Sequence, residues 1–356
     1  MAVTNYSTSN ALAVKLWEKK LFVETLKNTL VFKFIGKTSD SAVQWKDQTN
    51  KSSGDQITVG LRMQLSGSGT LGDGTLEGNE EALTTYTDAL VINQLRHAVR
   101  SQGKMSEQRI LFDFRDEATS GLGDWWSNTL DTGFLNQVCG NVAQTDTRLT
   151  GLVTPTAPSS NNQIWANAIT NDQGLGTSDT FTITMLDKAI NRAKTNSPMI
   201  RPLMVNGKPK YVAILHPNQV YSLRTQVSSS AVTWFEINRS ALQGGVYADN
   251  PIYNGALGEY NGTIIYEDAR IPLGVNSSTS VAVSNTRRGV LLGAQAAIFA
   301  TGREYNNAEK MTMREELFDY ENQLGVSGGM IFGLKKAVFN SADFATVVMS
   351  SYAAAP

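Results

Sequence analysis

Apolar residues first recur at helical spacing in LAVKLWEKKLFVETLKNTLVFKFIG, where Leu12, Leu16, Val23 and Leu26 share a stripe with Lys19 or Lys20 between them. Trp17 and Phe22 sit beside that stripe. The segment is expected to be an amphipathic helix that docks on its own domain or on a neighbouring subunit. A polar stretch, SDSAVQWKDQTNKSSGDQ, separates it from the rest of the chain.

The period then shortens. Residues 56–65 (QITVGLRMQL) and 84–95, the latter opening on Thr84, Thr85, Tyr86 and Thr87, read as two strands of a long hairpin. Its tip is flexible and acidic, with Asp73, Glu77, Glu80 and Glu81. Over residues 105–130 the steps return to three to five, through Leu111, Phe114, Ala118, Leu122, Trp125 and Leu130. This predicts a long amphipathic helix with Ser106 as N-cap and Glu107 favourably placed for the helix dipole. Gly121 and Gly123 mark a bend or close contact, and the Trp125–Trp126 pair belongs to the core or a subunit contact.

Residues 140–180 are polar and read as an extended loop or boundary. A second helix follows, with Ile183, Leu186, Ile190 and Ala193 on one face and Pro198 just past its end. PKYVAIL reads as a buried strand running into a short helix that starts at Pro217. SVAVSNTRRGVLLGAQAAIFATG gives two strands joined by a basic turn at Arg287 and Arg288. The tail, residues 311–350, reads as a long strand, a Gly-rich turn and two more strands, so the chain returns to an early domain. The mixture lacks the strict alternation of a doubly wound sheet and is α+β.

Composition narrows the function. With 356 residues, 41% hydrophobic and 18% charged, the chain can bury a real core and has length for roughly two domains. A formal net charge of -1 excludes a generally basic nucleic-acid binder, leaving only local contact. The single cysteine, Cys139, rules out an intramolecular disulfide and fits a reducing cytoplasm. The N-terminus lacks the pattern of a signal peptide, and the most apolar window, GVLLGAQAAIFATG, is too short for a bilayer, so a soluble protein is expected.

Two motifs invite chemistry and fail on their context. Gly67, Gly69 and Gly72 in LSGSGTLGDG have the spacing G-x-G-x-x-G, but a dinucleotide turn must open a helix, and the following residues, with Gly78 and the Thr-rich run, do not form one. GVSGG, residues 325–329, matches the hydrolase elbow with Ser327 as nucleophile, but both histidines, His97 and His216, precede it, against the order that chemistry uses. A Gly-rich hairpin turn is expected there instead. Two histidines and one cysteine offer no zinc set, and DGTLEGNEE lacks EF-hand spacing. His216 is read as structural, and Arg287 and Arg288 as solvent-exposed. No catalytic, metal or cofactor-binding residue is expected.

The order of elements, and above all LEGNEEALTTYTDALVINQLRHAVRSQGKMSEQRILFDFRDEA (residues 76–118), resembles the major capsid proteins of tailed bacteriophages, of Hong Kong 97-type fold, and among them a podophage capsid family. YVAILHPNQVYSL and NPIYNGALGEYNGTIIYED are similar to the strand and turn of that fold's axial domain. The resemblance implies an N-terminal arm (residues 1–50), an extended loop (51–95), a peripheral domain with a spine helix (96–185), an axial domain (186–300) and a return segment of the peripheral domain (301–356). It implies self-assembly into hexamers and pentamers of an icosahedral head enclosing double-stranded DNA without sequence readout. Portal, scaffolding and decoration proteins would be further partners, with no membrane and no cofactor. The place would be the virion capsid, assembled in the host cytoplasm.

Under this reading the inter-subunit contacts fall on Trp17, Phe22, Gly67, Gly69, Gly72, Gly74, Glu77, Glu80, Glu81, Trp125 and Trp126. The glycines would let the hairpin bend to fit differently curved positions of a shell. An encapsulin-like shell holding protein cargo keeps the same fold with another role. A hydrolase or nucleotide-binding enzyme is the competing class.

Overall fold

The computed structural model describes residues 29–46, 55–63, 65–109, 113–205, 207–226, 258–302 and 311–355. The expected N-terminal helix, with Trp17 and Phe22, lies outside them except for its quoted end, where Val31–Lys33 form a 3-10 turn and Ile35–Gly36 a short strand in place of α-helix. In chain order the principal elements are β1 (Val43–Lys46), β2 (Gln56–Arg62), β3 (Thr85–Val91), β4 (Asn93–Arg100), α1 (Lys104–Gln108) and α2 (Phe114–Val138). Then come β5 (Gln163–Trp165), α3 (Ile183–Thr195), β6 (Lys208–Leu215), α4 (Pro217–Thr225), β7 (Thr263–Glu267) and β8 (Thr286–Leu292). The chain closes with β9 (Ala297–Thr301), β10 (Thr312–Phe318), β11 (Gln323–Lys336) and β12 (Thr346–Tyr352).

Two sheets share one core. In the first, the long β11 pairs antiparallel with β4, β9 and β10, and β9 pairs parallel with β1. In the second, β8 lies antiparallel between β12 and β6, β6 runs parallel to β7, and β5 runs parallel to β12. The tail thus does return to early strands, since Gly325–Phe332 pair with Asn93–Arg100. Its last strand, however, joins the second sheet. Tyr211 to Leu215 are buried without alternation, as a central strand covered on both faces requires.

α3 follows its pattern, with Ile183, Leu186, Ile190 and Ala193 buried. α4 starts at Pro217 behind a capping box: His216 Nδ1 accepts the Asn218 N–H at 3.1 Å, and Gln219 Oε1 accepts the His216 N–H at 3.1 Å. His216 is therefore structural. Burial, with Arg287 adding to it, lowers its pKa to about 4.

Four expectations are corrected. The helix expected over residues 105–130 is two: Ser106 lies inside the short α1, and the long helix starts behind Asp113, which accepts the Arg115 N–H at 2.8 Å. α2 also runs on to Val138 and ends in a Schellman turn at Gly140 (φ 61°), where Asn141 N–H donates to Asn136 O. Its second half is not amphipathic, because Asn136 and Gln137 are buried and donate to Leu149 O, Thr150 O and Val153 O.

Arg287 and Arg288 form no turn. They lie in β8, and Arg288 is buried, its Nε 2.7 Å from the Asp172 carboxylate. The chain turns just before them, at Asn285 (φ 58°). The Gly-rich turn is likewise absent: residues 325–329 are the middle of β11, flanked on both sides by β4 and β10. There Phe318 covers Gly325 so closely that a Cβ would come 2.8 Å from its ring. The reversal comes earlier, at Asp319, Tyr320 and Glu321, all left-handed.

Candidate assembly surfaces

β2 and β3 pair from Gln56 with Val91 to Arg62 with Thr85, and contribute Ile57 and Leu90 to a small core with Ile298, Ala300, Ala337 and Phe339. That core roots the hairpin. Asp88 reinforces it, receiving Lys335 Nζ and the Val338 N–H. Beyond Arg62 and Thr85 the ladder ends and the described residues from Leu65 to Thr85 are exposed.

A single carboxylate holds the base of this tip. Glu81 accepts the Ser66 N–H at 2.8 Å and the Gly67 N–H at 2.6 Å, with the Ser66 hydroxyl at 3.2 Å. The backbone bonds from Ser66 and then Gly67 hold its pKa below the usual carboxylate range. Gly67 suits the contact, since a Cβ would sit 2.9 Å from Glu81 Oε2. Gly69 (φ 69°) and Gly72 (φ 60°) are left-handed, a conformation side chains rarely adopt. So the glycines of LSGSGTLGDG shape a tip and open no helix. Glu80 accepts the Gly78 N–H at 2.7 Å, and Glu77 is exposed.

What the sequence reading missed are the leucines of this tip. Leu65, Leu71, Leu76 and Leu83 are each more than half exposed, Leu71 to 94%. Four large apolar side chains thus lie exposed on this one hairpin. Their isolation in a glycine- and acid-rich stretch was the available signal.

The tryptophan pair lies elsewhere, on α2. Trp126 is fully buried, edge-on to Trp125 and Phe332, and so belongs to the core. Trp125 is half-buried and stacks on the exposed His97 of β4, ring centroids 4.4 Å apart. Ser327 sits mid-strand, its hydroxyl donating to Arg314 O at 3.2 Å, rather than on the strand-to-helix turn of an elbow. Among the described residues no three metal-ligating side chains cluster.

A second feature is the root of the N-terminal segment, which is held from inside the subunit. Asp131, fully buried on α2, accepts the N–H groups of Leu30 and Val31, each at 2.9 Å, on its two oxygens. Arg270 Nη1 lies 2.7 Å from the same carboxylate and is held in turn by Asp268. Burial raises the Asp131 pKa against the lowering effect of these bonds.

The chain matches the family described as "Phage capsid protein" over residues 5–355. It is 25% identical over 365 residues to the major capsid protein of Pseudomonas phage KPP25, covering 95% of this chain and 93% of that one. Among solved structures it is similar to the capsid of Ralstonia phage GP4, with 28% identity, a TM-score of 0.77 and coverage of 100% and 96%. The cyanophage Pam1 capsid shares the fold at 20% identity, with a TM-score of 0.71 and coverage of 100% and 95%.

Proposed function

The chain belongs to the phage capsid protein family, and on that premise we propose how it works as the major capsid protein of a phage head. Copies assemble into hexamers and pentamers of an icosahedral shell of Hong Kong 97-type subunits, which encloses double-stranded DNA without reading its sequence. It is a structural subunit and not an enzyme. The observation that carries the assembly reading is the hairpin tip, whose leucines are each more than half exposed.

The five divisions read from the sequence are kept. Residues 1–50 form the arm, 51–95 the extended loop, 96–185 the peripheral domain with α2 as spine, 186–300 the axial domain and 301–356 the return segment. The last strand, β12, passes on into the sheet of β6 and β8. Contacts between copies are made by Trp17 and Phe22 of the arm, by the tip from Gly67, Gly69, Gly72 and Gly74 to Glu77 and Glu80, and by Trp125. Glu81 shapes the tip, and Trp126 serves the core. Heterologous contacts of this kind close into rings when the rotation closes. A portal, a scaffolding protein and decoration proteins complete the particle, which assembles in the host cytoplasm.

The test is electron microscopy of the purified protein with light scattering for mass, repeated with the neighbouring virion proteins co-expressed. Closed icosahedral shells, or hexamers and pentamers that convert to shells, are expected. A small oligomer that never closes even with those proteins present would overturn the reading.

A further inference from the structure

Asp131 is an expensive residue in its place. A charge on a fully buried stretch of helix loses its hydration, and an apolar side chain of similar size would serve packing as well or better. Its described hydrogen-bond and ion-pair partners come from other segments. Leu30 and Val31 lie about one hundred residues earlier, and Arg270 lies in the loop after β7.

The geometry of the hold is directional. Val31–Lys33 form one 3-10 turn, whose leading N–H groups have no partner within the turn, and Leu30 has no capping side chain. Asp131 supplies the cap from outside, one oxygen to each amide. Two bonds to successive amides fix the orientation of the chain as well as its position. One helical turn earlier, Thr29 Oγ1 donates to Ser127 Oγ at 3.3 Å, and just beyond the turn Phe34 packs edge-on against Tyr266 at 5.2 Å. Arg270 extends the link: it is chelated by Asp268, whose N–H donates to Leu215 O at the end of β6.

We infer that Asp131 is the positioning residue of the N-terminal segment: it fixes the backbone direction at Leu30 and Val31 and, through Arg270, ties that direction to the loop after β7. This rests on the reading of that segment as an assembly arm. A subunit whose arm leaves at a fixed angle meets its neighbour in one register. One whose arm root swings meets it in several.

The experiment uses the full-length chain with Asp131→Asn, beside the wild type and a chain lacking residues 1–28, each co-expressed with the virion proteins that support assembly. The variant is expected to keep its circular dichroism spectrum, to be cut by trypsin at Lys27 and Lys33 at least tenfold faster as free subunit, and to give particles of mixed size and open sheets. Unchanged cleavage together with uniform shells would overturn the inference. If Asp131→Asn fails to fold, hydrogen exchange on the wild-type free subunit decides: the Leu30 and Val31 amides must be protected, and exchange there as fast as in an open chain overturns the inference too. The deletion separates the two readings. Normal shells without residues 1–28 would remove the arm reading, while faster cleavage in Asp131→Asn would still establish the anchor.

Discussion

Lys336 Nζ lies 2.7 Å from the Asp343 carboxylate, and both side chains are fully buried. The pair is satisfied all round, with Lys336 also donating to Thr156 O at 3.1 Å and Asp343 accepting the Ser159 N–H at 3.1 Å. It pins the end of β11 to the loop after α2. Burial pulls the lysine pKa down against the attraction of Asp343, so the ion pair persists only while both partners are present.

Lys336→Met would therefore leave a buried carboxylate alone and is expected to cost about 3–5 kcal/mol of unfolding free energy. Combining it with Asp343→Leu should recover most of that loss. Denaturant melts of the unassembled subunit measure both, and a single variant as stable as wild type would refute the account.

His216 makes stability depend on pH. Its folded pKa, about 4, lies below the ordinary 6.5, so the unfolded chain takes up the proton first as pH falls. The stabilisation is complete above about pH 6.5 and is lost progressively toward pH 4, by about 1–3 kcal/mol. His216→Asn can keep the cap to Asn218, because Asn is a good N-cap residue, and should flatten the profile between those limits. An identical pH profile for both proteins would show that His216 does not contribute.

The hairpin tip should separate folding from assembly. Leu71→Ser with Leu76→Ser removes exposed apolar surface and is expected to change subunit stability by less than about 0.5 kcal/mol, yet to slow or abolish shell formation followed by light scattering. Glu81→Ala should leave the unfolding transition in place and accelerate hydrogen exchange at the Ser66 and Gly67 amides. In the wild type that protection persists down to the ordinary carboxylate pKa and is lost below it. Wild-type assembly kinetics in the double leucine variant would exclude the tip from the contact.

The sequence makes the periodic elements legible and hides what depends on pairing across the fold. α3 and the cap at His216–Pro217 can be read because their signals are local: a stripe of apolar residues, and a proline after a capping side chain. Arg287 and Arg288 read as a basic turn because Asp172, which neutralises Arg288, is more than a hundred residues away. The glycines of β11 read as a turn because only the strands on either side give a flat, side-chain-free surface a purpose. The apolar pattern stops α2 at Leu130 because Asp131, Asn136 and Gln137 look solvated until their distant partners are known. The tip is legible from its glycines and acids, whereas its leucines can be judged only once the fold shows them exposed.

The glycines of α2 give opposite predictions from one helix. The sequence suggests a bend or close contact at Gly121, yet this residue is exposed, and a Cβ there would meet nothing within 4 Å. Alanine at that position keeps the helix and reduces the freedom of the unfolded chain, so Gly121→Ala should raise stability by about 0.5–1 kcal/mol. Gly133, nearer the end of the same helix, faces the backbone of Gly151, and a Cβ would lie 2.8 Å from the Gly151 nitrogen. Gly151 cannot give way, because it is left-handed (φ 71°) and its own face is closed by Leu334 of β11. Gly133→Ala must push helix and loop apart and should lower stability by about 1–3 kcal/mol, as overpacking does. Thermal melts of the two single variants test the pair of signs, and equal shifts in the same direction would show that close approach of backbones, and not helix propensity alone, has been misplaced along α2.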